Sequence, residues 1–140
     1  MKDDKLGGHC YCGAVRFEIN GESDRVGHCH CESCRRASGS VMTTFAGFRP
    51  DQVVFTGAMP NRYATADGVT RSFCGQCGSP VAYENAKRPD EIHLQVGLFD
   101  QPERLPPQNH SFLEEKSAGY TQTNTCRHPA GPRTRIKSSR

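Results

Sequence analysis

The chain has no tryptophan, and only 34% of its 140 residues are hydrophobic. A core built from so little apolar surface is lean. One domain is all that this length can support, because two would be too small to bury separate cores. No stretch approaches the ~20 apolar residues of a membrane span, so a membrane partner is not expected. The opening residues Met1-Lys2-Asp3-Asp4-Lys5 lack an apolar segment, and no secretory signal is read there. The formal charge of +3 is also less than it looks. Arg127, Arg133, Arg135, Lys137 and Arg140 crowd the last fourteen residues, and the remaining 126 hold 13 basic and 15 acidic side chains. A nearly neutral body carries no electrostatic footprint for nucleic acid, so nucleic acid is not an expected partner.

What the chain does have is cysteine. Seven of eight fall into three clusters: Cys10-x-Cys12, Cys29-x-Cys31-x-x-Cys34 and Cys74-x-x-Cys77. Without a signal segment such clusters read as reduced metal ligands in a cytoplasmic protein, not as disulfides. Zinc takes four soft ligands in a closed structural site, and three plus an exchangeable position in a catalytic one. The two paired clusters can close one tetrahedral site. Cys29, Cys31 and Cys34 can hold a second ion and leave one position open, or be closed by His28, His30 or a partner residue. In a lean core a structural zinc matters: its binding contributes on the order of 10–16 kcal/mol in small peptides, and that is folding energy. Cys126 is the odd thiol and has no assigned role.

The rest of the chain reads as short strands. Val15, Phe17 and Ile19 alternate with polar neighbours, as a half-buried strand requires. Residues 41–48 and 53–56 are β-rich. Residues 62–66 and 69–73 flank Asp67-Gly68, a two-residue hairpin signal of the type I′ turn. A strand is expected over 80–84, another through the alternating Ile92, Leu94, Val96 and Leu98, and a last one over 110–115. Only 32–38 looks helical. The fold expected is therefore mainly β: one zinc-stabilised domain of short antiparallel strands with one short helix, over residues 7–120. After Tyr120 the composition turns to Thr, Gln, Ser, Pro and Arg, so 121–140 reads as a disordered basic tail.

Three stretches carry a resemblance. Gly8-His9-Cys10-Tyr11-Cys12-Gly13, Cys29-His30-Cys31-Glu32-Ser33-Cys34-Arg35-Arg36 and Phe73-Cys74-Gly75-Gln76-Cys77-Gly78 resemble, in order, motifs of the glutathione-dependent formaldehyde-activating enzyme family. That resemblance implies a β-tent domain with two zinc ions. Cys10, Cys12, Cys74 and Cys77 match the structural ligands, and Cys29, Cys31 and Cys34 match the catalytic ones. The family also includes centromere protein V-like members. Where family members often carry Trp near the end of the domain, this chain has Gly119 and Tyr120.

The function this implies is a zinc-dependent carbon–sulfur lyase acting on thiol–aldehyde adducts, such as S-(hydroxymethyl)glutathione formed from glutathione and formaldehyde. Arg35 and Arg36 follow the open cluster, and their forked guanidiniums suit the two carboxylates of glutathione. His28 is a candidate acid or base near neutral pH. The alternative is a zinc-stabilised interaction or adaptor module without turnover.

Overall fold

In the computed structural model the structure describes residues 4–120. The basic tail and Cys126 lie outside the described residues. Ten strands and one helix follow in chain order: β1 (Gly7–His9), β2 (Arg16–Ile19), β3 (Arg25–Cys29), α1 (Glu32–Ser38), β4 (Thr43–Phe48), β5 (Val53–Phe55), β6 (Asn61–Ala64), β7 (Val69–Phe73), β8 (Pro80–Asn85), β9 (Arg88–Gln95) and β10 (Asn109–Ser111).

The strands form two sheets. The smaller has the order β1-β2-β5; the larger has the order β10-β3-β4-β9-β8-β7-β6. Alternation along the strands decides what faces what. Phe17 and Ile19 of β2 turn inward and are almost fully buried. They meet Val26, Ala46, Phe48, Ile92 and Leu94 from the larger sheet. Phe99 completes this layer, its ring 5.0 Å from Phe17 and 6.0 Å from Phe48. Each such buried side chain contributes about 1.5–3 kcal/mol relative to exposure. The opposite face of the larger sheet carries Arg25, Gly27 and Cys29 on β3, Phe45 and Gly47 on β4, and His93 on β9. Register joins several of these into one row: Arg25 faces Gly47, Gly47 faces His93, His93 faces Tyr83, and Tyr83 faces Arg71.

The expected strands are largely present, and the helix lies at 32–38 as expected. Three details differ. The β6–β7 connection is not a type I′ turn. Thr65 N–H bonds to Val69 O at 2.8 Å across three intervening residues, and of these only Gly68 has a positive φ, at 91°. The Thr65 hydroxyl, which bonds to Asp67, holds this wider loop. The alternating run through Leu98 stops being strand at Gln95 and closes into a 3-10 turn over Val96–Leu98, sealed by Phe99 N–H to Val96 O at 3.1 Å. Its apolar residues still face the core, since a tight turn can bury Val96 as well as a strand can. The final strand is shorter, Asn109–Ser111, and it pairs with β3 in parallel. The connector over 100–108 carries the chain across the molecule, and Gln108 N–H reaches Val26 O at 2.9 Å, so β10 enters alongside β3 in the same direction.

Candidate metal centres and the adjoining pocket

The first centre joins the two sheets. Cys10 and Cys12 lie in the turn between β1 and β2, where Cys10 N–H bonds to Val15 O and Gly13 N–H to Cys10 O, both at 3.0 Å. The backbone is therefore bent as chelation by Cys-x-Cys needs. Cys74 and Cys77 lie in the knuckle between β7 and β8. Gly78 closes that knuckle at φ 78°, donating to Cys74 O at 2.9 Å. The thiol sulfurs of Cys10, Cys12, Cys74 and Cys77 all lie within 4.8 Å of one another. Cys10 to Cys12 is 3.6 Å and Cys12 to Cys74 is 3.7 Å. Four sulfurs on a zinc at ~2.3 Å stand about 3.8 Å apart, so the set fits a tetrahedral ion. All four are free thiols.

Backbone donors prepare the sulfurs for negative charge. Val15 N–H points at Cys10 Sγ (3.3 Å), and Gln76 and Cys77 N–H point at Cys74 Sγ (3.4 and 3.5 Å). Burial raises the Cys77 thiol, but hydrogen bonds with Ser79, Cys12 and Cys74 together outweigh it and bring it down to about 5. Local spacing alone gives Ser79 no role. Its hydroxyl is 3.2 Å from Cys77 Sγ and accepts from Tyr11 N–H at 3.0 Å, so one side chain ties both knuckles together.

The second centre is local. Cys29 ends β3, Cys31 caps α1, and Cys34 lies in its first turn. Their sulfurs also fall within 4.8 Å of one another, with Cys29 to Cys31 at 3.4 Å. Cys31 is the N-cap, and its sulfur accepts from Cys34 N–H at 3.3 Å. The three thiols do not ionise alike. Cys34 is lowered to about 5, first by the hydrogen bond from Cys29, then, against burial, by Cys31 and Arg71. Donating to Cys34 pushes Cys29 up, and burial adds to this. Cys34 is thus the most readily ionised of the three, and a bound cation would favour loss of the protons on Cys29 and Cys31.

Arg71 is the residue that sequence reading missed at this centre. Its two terminal nitrogens lie 3.8 and 3.7 Å from Cys34 Sγ. Its guanidinium sits 5.2 Å over the ring of Tyr83. Nothing local marks it: it is 37 residues from Cys34 and is delivered by the pairing of β7 with β8.

The histidines turn the other way. His28 bonds Thr44 Oγ1 through Nδ1 at 2.8 Å, and the buried His30 bonds His110 at 2.8 Å. Tyr120, standing in the terminal region where Trp was expected, packs its ring 5.0 Å from His30. Neither His28 nor His30 shares the face of the cysteine sulfurs. They brace β3 against β4 and β10.

A pocket of about 180 Å³ opens beside the second centre. Cys29 and Cys34 form one end, Phe45 and Tyr83 line the wall, and Arg25, His93 and Arg88 form the other end. Arg35 and Arg36 are not among its lining residues. Both lie on α1 toward Glu32, at 3.7 and 3.2 Å. No helix among the described residues is long and apolar enough to cross a membrane.

The model of the family described as glutathione-dependent formaldehyde-activating enzyme matches residues 5–115. The chain belongs to this family. It is 30% identical over 120 residues to a protein of Halomonas elongata named putative glutathione-dependent formaldehyde-activating enzyme, covering 79% of this chain and 76% of that one. It is 31% identical over 119 residues to an uncharacterized lyase of Schizosaccharomyces pombe, covering 84% and 85%. A crystal structure of a Rhodobacter sphaeroides protein shares the fold, with a TM-score of 0.61 at 21% identity over 75% of this chain and 99% of that one.

Proposed function

We propose that this family member is a carbon–sulfur lyase that makes and breaks thiol–aldehyde adducts, with glutathione and formaldehyde as the typical pair. The observation that carries the reading is the three-sulfur cluster at the end of a pocket, separate from a four-sulfur cluster with enough ligands to close a tetrahedral site by itself. A zinc at Cys10, Cys12, Cys74 and Cys77 would be structural. A zinc at Cys29, Cys31 and Cys34 would supply Lewis acidity and favour the thiolate form of a thiol substrate at neutral pH.

The protein's own groups do the rest. Arg71 offsets the negative charge on Cys34, so the cluster can sit in a half-enclosed pocket. The Cys34 N–H and the α1 N-terminus hold Cys31 in place. Phe45 and Tyr83 give the reacting carbon an apolar wall. In the forward direction a C–S bond forms between the thiolate and the carbonyl carbon, and the carbonyl oxygen takes a proton. In the reverse direction both steps run back. The reading suits a soluble cytoplasmic role with no nucleic-acid partner.

Because thiols add to formaldehyde unaided, the test is acceleration. Exchange NMR on glutathione–formaldehyde mixtures should show faster interconversion with zinc-loaded protein than in buffer, and Cys31→Ser should return the rate to that of buffer. Equal rates with and without the wild-type protein would overturn the reading.

A further inference from the structure

The pocket has a charged end as well as a sulfur end. Glu91 stands there between two arginines. Arg25 Nη2 donates to its carboxylate at 3.2 Å, Arg88 Nη1 lies 3.8 Å away, and His93 Nε2 lies 3.0 Å away. Two guanidiniums on one carboxylate leave a positive surplus. They also leave donors to spare, since each guanidinium carries five N–H groups and one carboxylate accepts only about four hydrogen bonds. Both arginines are reachable, with side chains 47% and 60% exposed. Gly47, in the row of Arg25 and His93, adds no side chain to this end, where a Cβ would meet Arg25 Cγ at 3.5 Å and Arg25 O and His93 Nε2 at 3.7 Å; Gly27, Phe45 and Asn109 line the pocket between this row and the cysteines. A second cleft of about 290 Å³, lined by Lys87 and Phe112, shares Tyr83, Arg88 and His93 with the pocket. The groove thus runs from the cluster past the arginines and beyond.

We infer that Arg25 and Arg88, rather than Arg35 and Arg36, receive a carboxylate of the thiol substrate and select a peptide-like thiol over a small neutral one. The inference rests on the lyase reading above. Length supports it. Arg25 and Cys29 share one face of β3 four residues apart, about 13 Å along a strand, and the Arg25 side chain extends toward Glu91 on the side away from the cysteines, so a thiol that joins the two ends must be long. Free cysteine, with sulfur and carboxylate on neighbouring carbons, is too short. A thiol with a carboxylate one or two residues away from its cysteine fits, and glutathione is such a molecule. Arg35 and Arg36 already face Glu32 on the helix surface.

Titration calorimetry on the zinc-loaded full chain decides this, with glutathione and 2-mercaptoethanol as probes and circular dichroism to verify folding. The Arg25→Ala/Arg88→Ala protein should bind glutathione at least about tenfold more weakly and 2-mercaptoethanol within about twofold of wild type. The Arg35→Ala/Arg36→Ala protein should bind both like wild type. Glu91→Gln removes the competing carboxylate, so it should tighten glutathione. Unchanged glutathione affinity in Arg25→Ala/Arg88→Ala, equal weakening of the two thiols, or a loss confined to Arg35→Ala/Arg36→Ala would overturn the inference while leaving the lyase reading intact. Weaker glutathione binding by Glu91→Gln would mark the arginines as structural partners of Glu91 and overturn it too. Wild-type protein that binds neither thiol would overturn both.

Discussion

At the residue scale, Arg71 and Gly8 carry more than their types suggest. Arg71 is a cation placed against a thiolate. Removing it makes charge on Cys34 less favourable, so the Cys34 pKa rises from about 5 and protons compete better with metal. Arg71→Gln should therefore move zinc uptake at the second cluster to higher pH and weaken it about tenfold near neutrality, with no change at the four-sulfur site. A chelator-competition titration across pH measures this, and an unmoved curve would remove Arg71 from the centre. Gly8 is a matter of space. A Cβ there would lie 2.1 Å from Leu98 O and 2.8 Å from Phe99 Cα, both backbone atoms that cannot step aside. Gly8→Ala should destabilise the fold by about 3 kcal/mol, read from the denaturant midpoint. Its role is close approach of two backbone segments.

At the element scale, the β3–α1 junction separates chemistry from stability. Its three ligands span six residues, so an ion there closes no long loop and adds little constraint to the unfolded chain. Cys31→Ser should cost the second zinc and keep a near-wild-type circular dichroism spectrum. The substitution also preserves the helix start, because serine is a good N-cap and Cys31 occupies that position. Global unfolding of Cys31→Ser would show that this cluster is structural as well. The junction was legible beforehand: Cys29, Cys31, Cys34 and the helix over 32–38 all lie where local sequence placed them. The parallel partner of β3 was not, since pairing direction depends on how the 100–108 connector crosses the molecule.

For the whole molecule, the four-sulfur centre is the tie that counts. It links the β1–β2 turn of the small sheet to the β7–β8 knuckle of the large one, across 62 residues between Cys12 and Cys74. Without it the two layers depend on a core poor in apolar residues. Cys74→Ser should lose one zinc per chain and unfold the domain at physiological temperature, as followed by metal analysis and thermal melting. A cooperatively folded Cys74→Ser protein that retains all its zinc would contradict the assignment.

The sequence by itself determined what repeats at short range. It set the three cysteine clusters, the alternation that makes β2 and β9 half-buried, and the one short helix. These depend on spacings of a few residues, where chain geometry leaves little choice. Only the tertiary structure decided which distant side chains meet. Arg71 reaches Cys34 through strand pairing, Ser79 binds two knuckles, and Arg25, Arg88 and Glu91 converge because β3 and β9 flank β4 in one register. An arginine next in line to a ligand drew attention in the sequence, yet on α1 it turns toward Glu32. A helix carries adjacent residues to different faces, whereas a sheet brings residues far apart in the chain into one row.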